Sequence, residues 1–254
     1  MKKTIISVIF ILAPLLLSAQ YSYNTEEYKP KKNLLKVNIT GLLIKNYPVQ
    51  FERVISKRFS VALSYRNMPE GKLPLKDHIL KRVDNIEEST EKLLNDINIG
   101  NYALTPELRF YFGKKGYGRG FYISPFYRNA KYSGTNLIFD YEDENNDNQT
   151  VTLSGNIKSQ TLGLMIGAQW SLSKFFVLDW WILGPHIGKG IGELDALSTR
   201  TLSAEEQNHL KQELEKIEVP ILEKSVTTRD NGATLSLKGP WAGLRAGISL
   251  GIKF

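Results

Sequence analysis

Residues 244–254 read LRAGISLGIKF. Counting back from Phe254, every second residue is apolar: Ile252, Leu250, Ile248, Ala246, Leu244 and, one step further, Ala242. Between them stand Lys253, Gly251, Ser249, Gly247, Arg245 and Gly243. Side chains of a β-strand point alternately to opposite faces, so this spacing is a strand with one apolar face and one small or charged face.

The same period runs through most of the chain. LLKVNITGLLI places Leu35, Val37, Ile39, Gly41 and Leu43 opposite Lys36, Asn38 and Thr40, and YPVQFERVIS follows after a turn at Lys45-Asn46. RFSVALSYR alternates Phe59, Val61, Leu63 and Tyr65 with Ser60, Ala62, Ser64 and Arg66. ALTPELRFYF sets Leu104, Pro106, Leu108, Phe110 and Phe112 against Thr105, Glu107, Arg109 and Tyr111. GFYISPFYRNAKY with a continuation near TNLIFDY, SQTLGLMIGAQWSL and FFVLDWWILGPHIG complete the set before the closing run. Eight strands are predicted.

Two segments break the alternation. Residues 78–97 carry Ile79, Leu80, Val83, Ile86, Leu93, Leu94 and Ile97 at helical spacing. Residues 203–217 begin with Ser203 and Glu206, the spacing of a capping box, and align Leu210, Leu214 and Ile217 on one side. Each is predicted as a helix within a long connection. Short connections (Ser56-Lys57, GKKGYGRG, Ser173-Lys174) alternate with mostly long ones (68–100, the tip around EDENNDNQ, 189–235). That is the layout of outer-membrane barrels, with short periplasmic turns and long extracellular loops. Phe59, Phe110, Phe112, Phe121, Trp170, Phe175, Phe176 and Phe254 flank the short turns, while Tyr47, Tyr65, Tyr102, Tyr132 and Trp241 stand near the other strand ends. Two aromatic belts at two membrane interfaces would look like this.

The chain has 254 residues and no cysteine, which excludes disulfides and thiolate metal sites. Lys2 and Lys3, the apolar run Thr4–Leu17 and the small residues of LSAQ form a signal peptide with cleavage after Ala19. No cysteine stands there to carry a lipid anchor. Loss of that leader lowers the net charge of +7 only by Lys2 and Lys3. The remaining basic residues are scattered, so nucleic acid is not expected as a partner. The organisation expected is a signal peptide at 1–19, an N-terminal extension at 20–32, and a barrel over 33–254 with helical insertions near 78–97 and 203–217.

Closed membrane barrels need an apolar outer face and satisfy every backbone group internally. The other face then carries Lys36, Glu52, Arg66, Glu107, Arg109, Arg128, Asp179, Arg245 and Lys253. An eight-stranded interior is just wide enough for side chains to fill. Glu52, Glu107 and Asp179 are therefore expected to pair with Arg66, Arg109, Arg128 and Arg245, because unpaired buried charge is costly.

The stretches NLLKVNITGLLIKNYPVQFERVISKRFSVALSYRNMP, ALTPELRFYFGKKGYGRGFYISPFYRNAKY, FVLDWWILGPHIG and the tail ending in Phe resemble a family of uncharacterised outer-membrane β-barrel proteins of the Bacteroidetes with an OmpA-like barrel shape. The resemblance implies an eight-stranded antiparallel transmembrane β-barrel in the outer membrane. It implies no activity and no site residues, since the family has none assigned. The tail also looks like the signal read by the barrel assembly machinery, with Phe254 as its last residue.

Other candidate chemistry is sparse. His78, His186 and His209 are not spaced as metal ligands. PHIG places Gly188 two residues after His186, where the lipid A deacylases carry a serine, which argues against a hydrolase. DENNDNQ offers Asp143, Asn145 and Asp147 like the start of a calcium loop, but lacks its turn glycine and its terminal glutamate. GKKGYGRG lacks the Lys-Ser/Thr ending of a phosphate loop. The expectation is an integral outer-membrane protein, structural or interaction-mediating, with no enzyme chemistry and no cofactor. Its partners are membrane lipids, the assembly machinery and a protein met through the outer loops. A narrow pore and a lipid-modifying enzyme are the alternatives. Deleting Phe254 is expected to lower the amount of protein in outer membranes while leaving its folding in detergent intact. Equal membrane levels of the deleted and full chains would refute that reading of the tail.

Overall fold

The short turns are closed by side chains that the sequence repeats. In SKRF (56–59) and SKFF (173–176) the first serine hydroxyl accepts from the backbone N–H of the closing phenylalanine, at 3.2 Å in the first and 3.0 Å in the second. GKKGYGRG is a tighter case: Gly113, Gly116, Gly118 and Gly120 all have positive φ, which glycine tolerates without steric cost. These turns join long strands into an antiparallel sheet.

The computed structural model describes residues 31–80, 94–142, 148–198, 200–216 and 221–254. The strands are β1 (Asn33–Asn38), β2 (Tyr47–Val54), β3 (Phe59–Lys72), β4 (Asn98–Tyr111), β5 (Gly120–Glu142), β6 (Asn148–Ser171), β7 (Phe176–Leu197), β8 (Glu223–Arg229) and β9 (Gly232–Lys253). Helices α1 (Ile39–Leu42), α2 (Lys76–Leu80) and α3 (Ala204–Lys216) lie between them. β1 to β7 pair in chain order, β7 pairs with β9, and β9 returns to β1, closing a ring of eight strands. The closure runs from Leu34↔Lys253 to Asn38↔Ser249, and Asn33 and Phe254 exchange backbone hydrogen bonds at its end. No described helix is long and apolar enough to cross a membrane.

The two faces of the ring differ as the alternation requires. Leu35, Val49, Phe51, Val61, Leu63, Leu104, Leu108, Leu164, Ile166, Leu250 and Ile252 are exposed on the outside. Lys36, Gln50, Glu52, Ser64, Glu107, Arg109, Gln169 and Asp179 are buried inside. Toward the long connections the outer face turns mixed: Asn129, Gln160 and Lys189, all exposed, are register partners across β5, β6 and β7, and Ile191 and Leu197 are exposed beyond them. Inside, Gly163 and Gly167 leave room for the rings of Phe126 and Tyr122 on the neighbouring strand, where a Cβ would collide with them.

Several expectations need correction. The first strand does not continue to Leu43. Asn38 ends it by accepting from the Gly41 N–H at 2.9 Å, which starts α1. The described residues form nine strands, because β8 folds back on β9 as a hairpin outside the ring. The inserts are shorter than 68–100 and 189–235, since β3, β4, β7 and β9 run on to Lys72, Asn98, Leu197 and Gly232. Of the helix expected at 78–97, Lys76–Leu80 and a helical turn at 94–96 are described, and 81–93 lie outside the described residues. The leader at 1–19, positions 20–30 of the extension, the tip at 143–147 and Ile217 lie outside them too.

The long ends of β5, β6, β7 and β9 rise beyond the ring and bury an apolar core of their own. Leu210 and Leu214 of α3 pack there with Tyr141, Val151, Leu153, Ala196, Val226 and Leu235. The capping box of α3 is closed: Ser203 N–H donates to Glu206 Oε2 at 2.7 Å, and Glu206 N–H to Ser203 Oγ at 3.2 Å. Those hydrogen bonds, with Arg200 beside it, hold the Glu206 carboxyl below its ordinary range. The cap's contribution is therefore present above the unfolded carboxyl's pKa and is lost as pH falls through the lowered value. For the interior, Gly167→Ala is expected to destabilise by about 1–3 kcal/mol through overpacking against Tyr122. The check is the urea midpoint of protein refolded in detergent, with an unchanged midpoint meaning that the interior has slack.

Candidate functional site

Register decides which inward side chains meet. Ala62 pairs with Glu52 on one side and Glu107 on the other, so two carboxylates flank one small residue. Ser60 pairs with Arg109, and Gln169 with Asp179. Lys36 comes from β1 opposite Gln50. Strands from all sides thus bring opposite charges to one level of the interior.

The result is a closed network. Arg109 Nη1 donates to Asp179 Oδ2 at 2.8 Å and Glu52 Oε2 at 3.2 Å. Arg109 Nη2 donates to Gln50 Oε1 at 2.9 Å and Glu107 Oε2 at 3.1 Å. Its guanidinium also lies 4.4 Å from the centre of the Tyr122 ring. Lys36 Nζ has three donors and uses them on Glu52 Oε2 (2.5 Å), Asp179 Oδ2 (2.6 Å) and Gln169 Oε1 (2.8 Å). The far carboxylate oxygens are taken as well. Glu52 Oε1 accepts from Ser60 Oγ and Tyr111 OH, and Asp179 Oδ1 accepts from Tyr122 OH. Trp181 Nε1 donates to Asp179 Oδ2 at 3.1 Å. Glu107 Oε1 accepts from Arg245 Nη2 at 2.8 Å. Below this level the glycine-rich turn tucks in, and Gln169 Nε2 donates to the Gly118 carbonyl at 2.7 Å. This cross-section of the ring is filled by paired side chains.

Of the expected charges, Glu52, Glu107, Arg109, Asp179 and Arg245 are brought together here. Lys36, read only as a charge on the polar face, proves central, because β1 stands beside both β2 and β9. Gln50, Gln169, Tyr111, Tyr122 and Trp181 were not singled out; their signal was only parity with Glu52, Glu107 and Asp179. Arg66 and Arg128 depart from expectation. Neither has a carboxylate partner among the described residues. Arg128 Nη1 donates to Thr105 Oγ1 at 3.3 Å. Tyr132 and Trp241, expected in an outer belt, face inward: β5 and β9 are separated by β6 and β7, yet their rings lie 5.3 Å apart.

His186 is inside, mid-strand and not at a strand end. It is buried, sits against Phe126 at 6.0 Å, and its Nδ1 has no hydrogen-bond partner. His209 lies on α3, with its ring stacked at 6.3 Å on Tyr141. Among the described residues no three His, Asp or Glu side chains group to hold a metal ion. No known protein family, curated protein or solved structure matches the chain. Asp179→Asn leaves the buried Lys36 and Arg109 sharing two carboxylates and is expected to cost about 3–5 kcal/mol. Arg200→Ala, at the exposed pair with Glu206, is expected to cost no more than about 1 kcal/mol. Unfolding temperatures of the two variants check the contrast, and equal shifts would contradict the network's role.

Proposed function

We propose that the chain is an integral outer-membrane β-barrel protein, structural or interaction-mediating, whose interior is sealed and whose recognition surface is the tall extension beyond the ring. One observation carries this reading: large apolar side chains cover the outside of the ring all the way round, while the charges lie within. Soluble proteins rarely expose contiguous apolar patches above a few hundred Å². Here the exposed rows run from Phe59 to Tyr65 on β3, from Leu162 to Trp170 on β6, and from Leu244 to Ile252 on β9. Eight steps along β6 at about 3.4 Å each, reduced by a tilt of about 40°, span about 21 Å, most of the roughly 25 Å apolar band of such barrels.

The ends of this band carry the chemistry expected of interfaces. Phe59, Phe112, Phe121, Phe175, Phe176 and Phe254 are exposed toward the short turns, and Tyr47, Tyr65 and Tyr102 toward the other rim. Beyond the Phe residues come Lys57, Arg58, Lys114, Lys115 and Lys174, suited to anionic headgroups. At the opposite end, α3 and the β8–β9 hairpin build an ordered surface outside the ring. Long outer loops on a rigid scaffold are where binding is usually placed. The resemblance to outer-membrane barrels of the Bacteroidetes agrees with this reading.

The filled cross-section around Arg109 favours a sealed barrel over a pore. Folded protein from outer membranes should migrate faster on a gel before boiling than after it, and should give no conductance steps in planar bilayers. A band unmoved by boiling, in protein recovered from the soluble fraction, would remove the membrane reading. Reproducible single-channel steps would replace the sealed barrel with a pore.

A further inference from the structure

Charge inside the ring does not balance. Five cations are buried there (Lys36, Arg109, Arg128, Arg245 and Lys253) against three carboxylates, Glu52, Glu107 and Asp179, among the described residues. Arg66, partly buried, adds a sixth cation. Lys36, Arg109 and Arg245 use all three carboxylates. Lys253, at the turn end, has the Ser171 hydroxyl at 2.6 Å. Arg66 and Arg128 are left beside Arg245 on the side of the long connections, where they line one cavity, and the Thr105 hydroxyl is a neutral partner of Arg128.

Their N–H groups report the same shortage. Arg66 Nε, Arg128 Nε and Arg245 Nη1 are buried without any hydrogen-bond acceptor. Arg128 is only 4% exposed and Arg245 7%. Guanidinium carries donors alone, so protein hydroxyls cannot neutralise it. The three arginines line a cavity of about 140 Å³ together with Asn46, Thr105 and Trp181. Water takes about 30 Å³ of liquid volume per molecule, so the space holds a few waters or one tetrahedral anion.

We propose that Arg66, Arg128 and Arg245 form a binding site for a phosphate group. Two guanidiniums without a carboxylate match the double charge of a phosphate monoester or of hydrogen phosphate. The planar fork of arginine donates two parallel bonds to such oxygens. Arg245 supplies a further donor through its free Nη1 while keeping Glu107. Cation–π contacts to Phe126 at 4.5 Å and Trp181 at 4.8 Å hold its guanidinium in place.

The wall beside the cavity offers a second route of entry besides the mouth of the ring. β1 pairs with β9 only up to Ser249, and β8 pairs with β9 only up to Lys238. Between them that edge of β9 has no strand partner among the described residues. The short helix α1 covers part of it, and Ile248 N–H donates to Thr40 Oγ1 at 3.4 Å instead. Leu244 and Ala246 of this stretch line the cavity and are also exposed. The phosphate can therefore come as a free ion from the mouth or as a lipid headgroup through the seam, with the same three arginines receiving it.

The test uses the full mature chain refolded in zwitterionic detergent and titrated with inorganic phosphate against chloride at equal ionic strength. Calorimetric titration and unfolding temperature are the readouts. Saturable phosphate binding with a raised unfolding temperature is expected. Arg66→Gln and Arg128→Gln should each weaken binding at least tenfold, while Arg128→Lys loses less. Arg66→Gln also removes one of the crowded cations. It should therefore unfold at a higher temperature than the parent without phosphate and lose the further rise with it. That sign separates a missing ligand from a damaged fold and keeps the test decisive if Arg128→Gln does not fold. Micelles doped with phosphatidic acid distinguish the sources: competition with inorganic phosphate supports a headgroup, and phosphate binding without competition supports the free ion. Heat that is indistinguishable between phosphate and chloride, in both plain and doped micelles, overturns the site and leaves the arginines hydrated. Equal phosphate affinity in Arg66→Gln and the parent overturns it as well.

Discussion

Arg109 is fully buried and donates to Glu52, Glu107 and Asp179 at once. A guanidinium away from water is tolerated only where its donors are matched and its charge is balanced. Lys36 supplies the second cation, Gln50 and Gln169 take the remaining directions, Ser60, Tyr111 and Tyr122 take the far carboxylate oxygens, and Trp181 adds a donor to Asp179 Oδ2. Each of these groups comes from a different place in the ring, so the network forms only when β1 has closed onto β9. The polar interior and the closure of the sheet are one constraint.

That constraint has a consequence further up the interior. The three carboxylates are consumed at the Arg109 level, and the side chains next to it toward the long connections are again cationic. Arg245 bridges the two levels through Glu107. Arg66 and Arg128 have no acid to meet, and the cavity beside them is where the protein's own chemistry is incomplete. Tight pairing in one layer thus leaves open cations in the next.

Wall height divides the molecule in a second way. β1 and β2 end low, joined by α1, whereas β5, β6, β7 and β9 continue past the polar row Asn129–Gln160–Lys189. Above that row the strands no longer enclose an interior but still have an apolar face. Leu210 and Leu214 of α3 cover it. The helix expected from the spacing of 203–217 has this definite task, and its capping box aligns it there.

Alternation made the two faces legible, because every second residue of a strand must share a side. It put Glu52, Glu107, Arg109, Asp179 and Arg245, which are buried, on one face, and Phe51, Leu108 and Ile252, which are exposed, on the other. Alternation fails where a local bond competes with the strand, as at Asn38, whose side chain starts a helix. It was overridden by residue type at Tyr132 and Trp241, which were placed in an outer belt as aromatics although their parity is inward. Their ring contact depends on the interior between β5 and β9, which no short window of sequence contains.

Period, turn residues and charge parity, each a matter of near neighbours in the chain, determined by themselves that this protein is a run of antiparallel strands with a charged face and an apolar one. Tertiary structure alone decided which charges meet, because pairing depends on register and on the closure of β1 with β9. It therefore decided that Lys36 belongs to the network and that Arg66 and Arg128 stand outside it. An ion pair forms over a few ångströms of space, and the chain brings residues 36, 109 and 179 within that reach only by closing the ring.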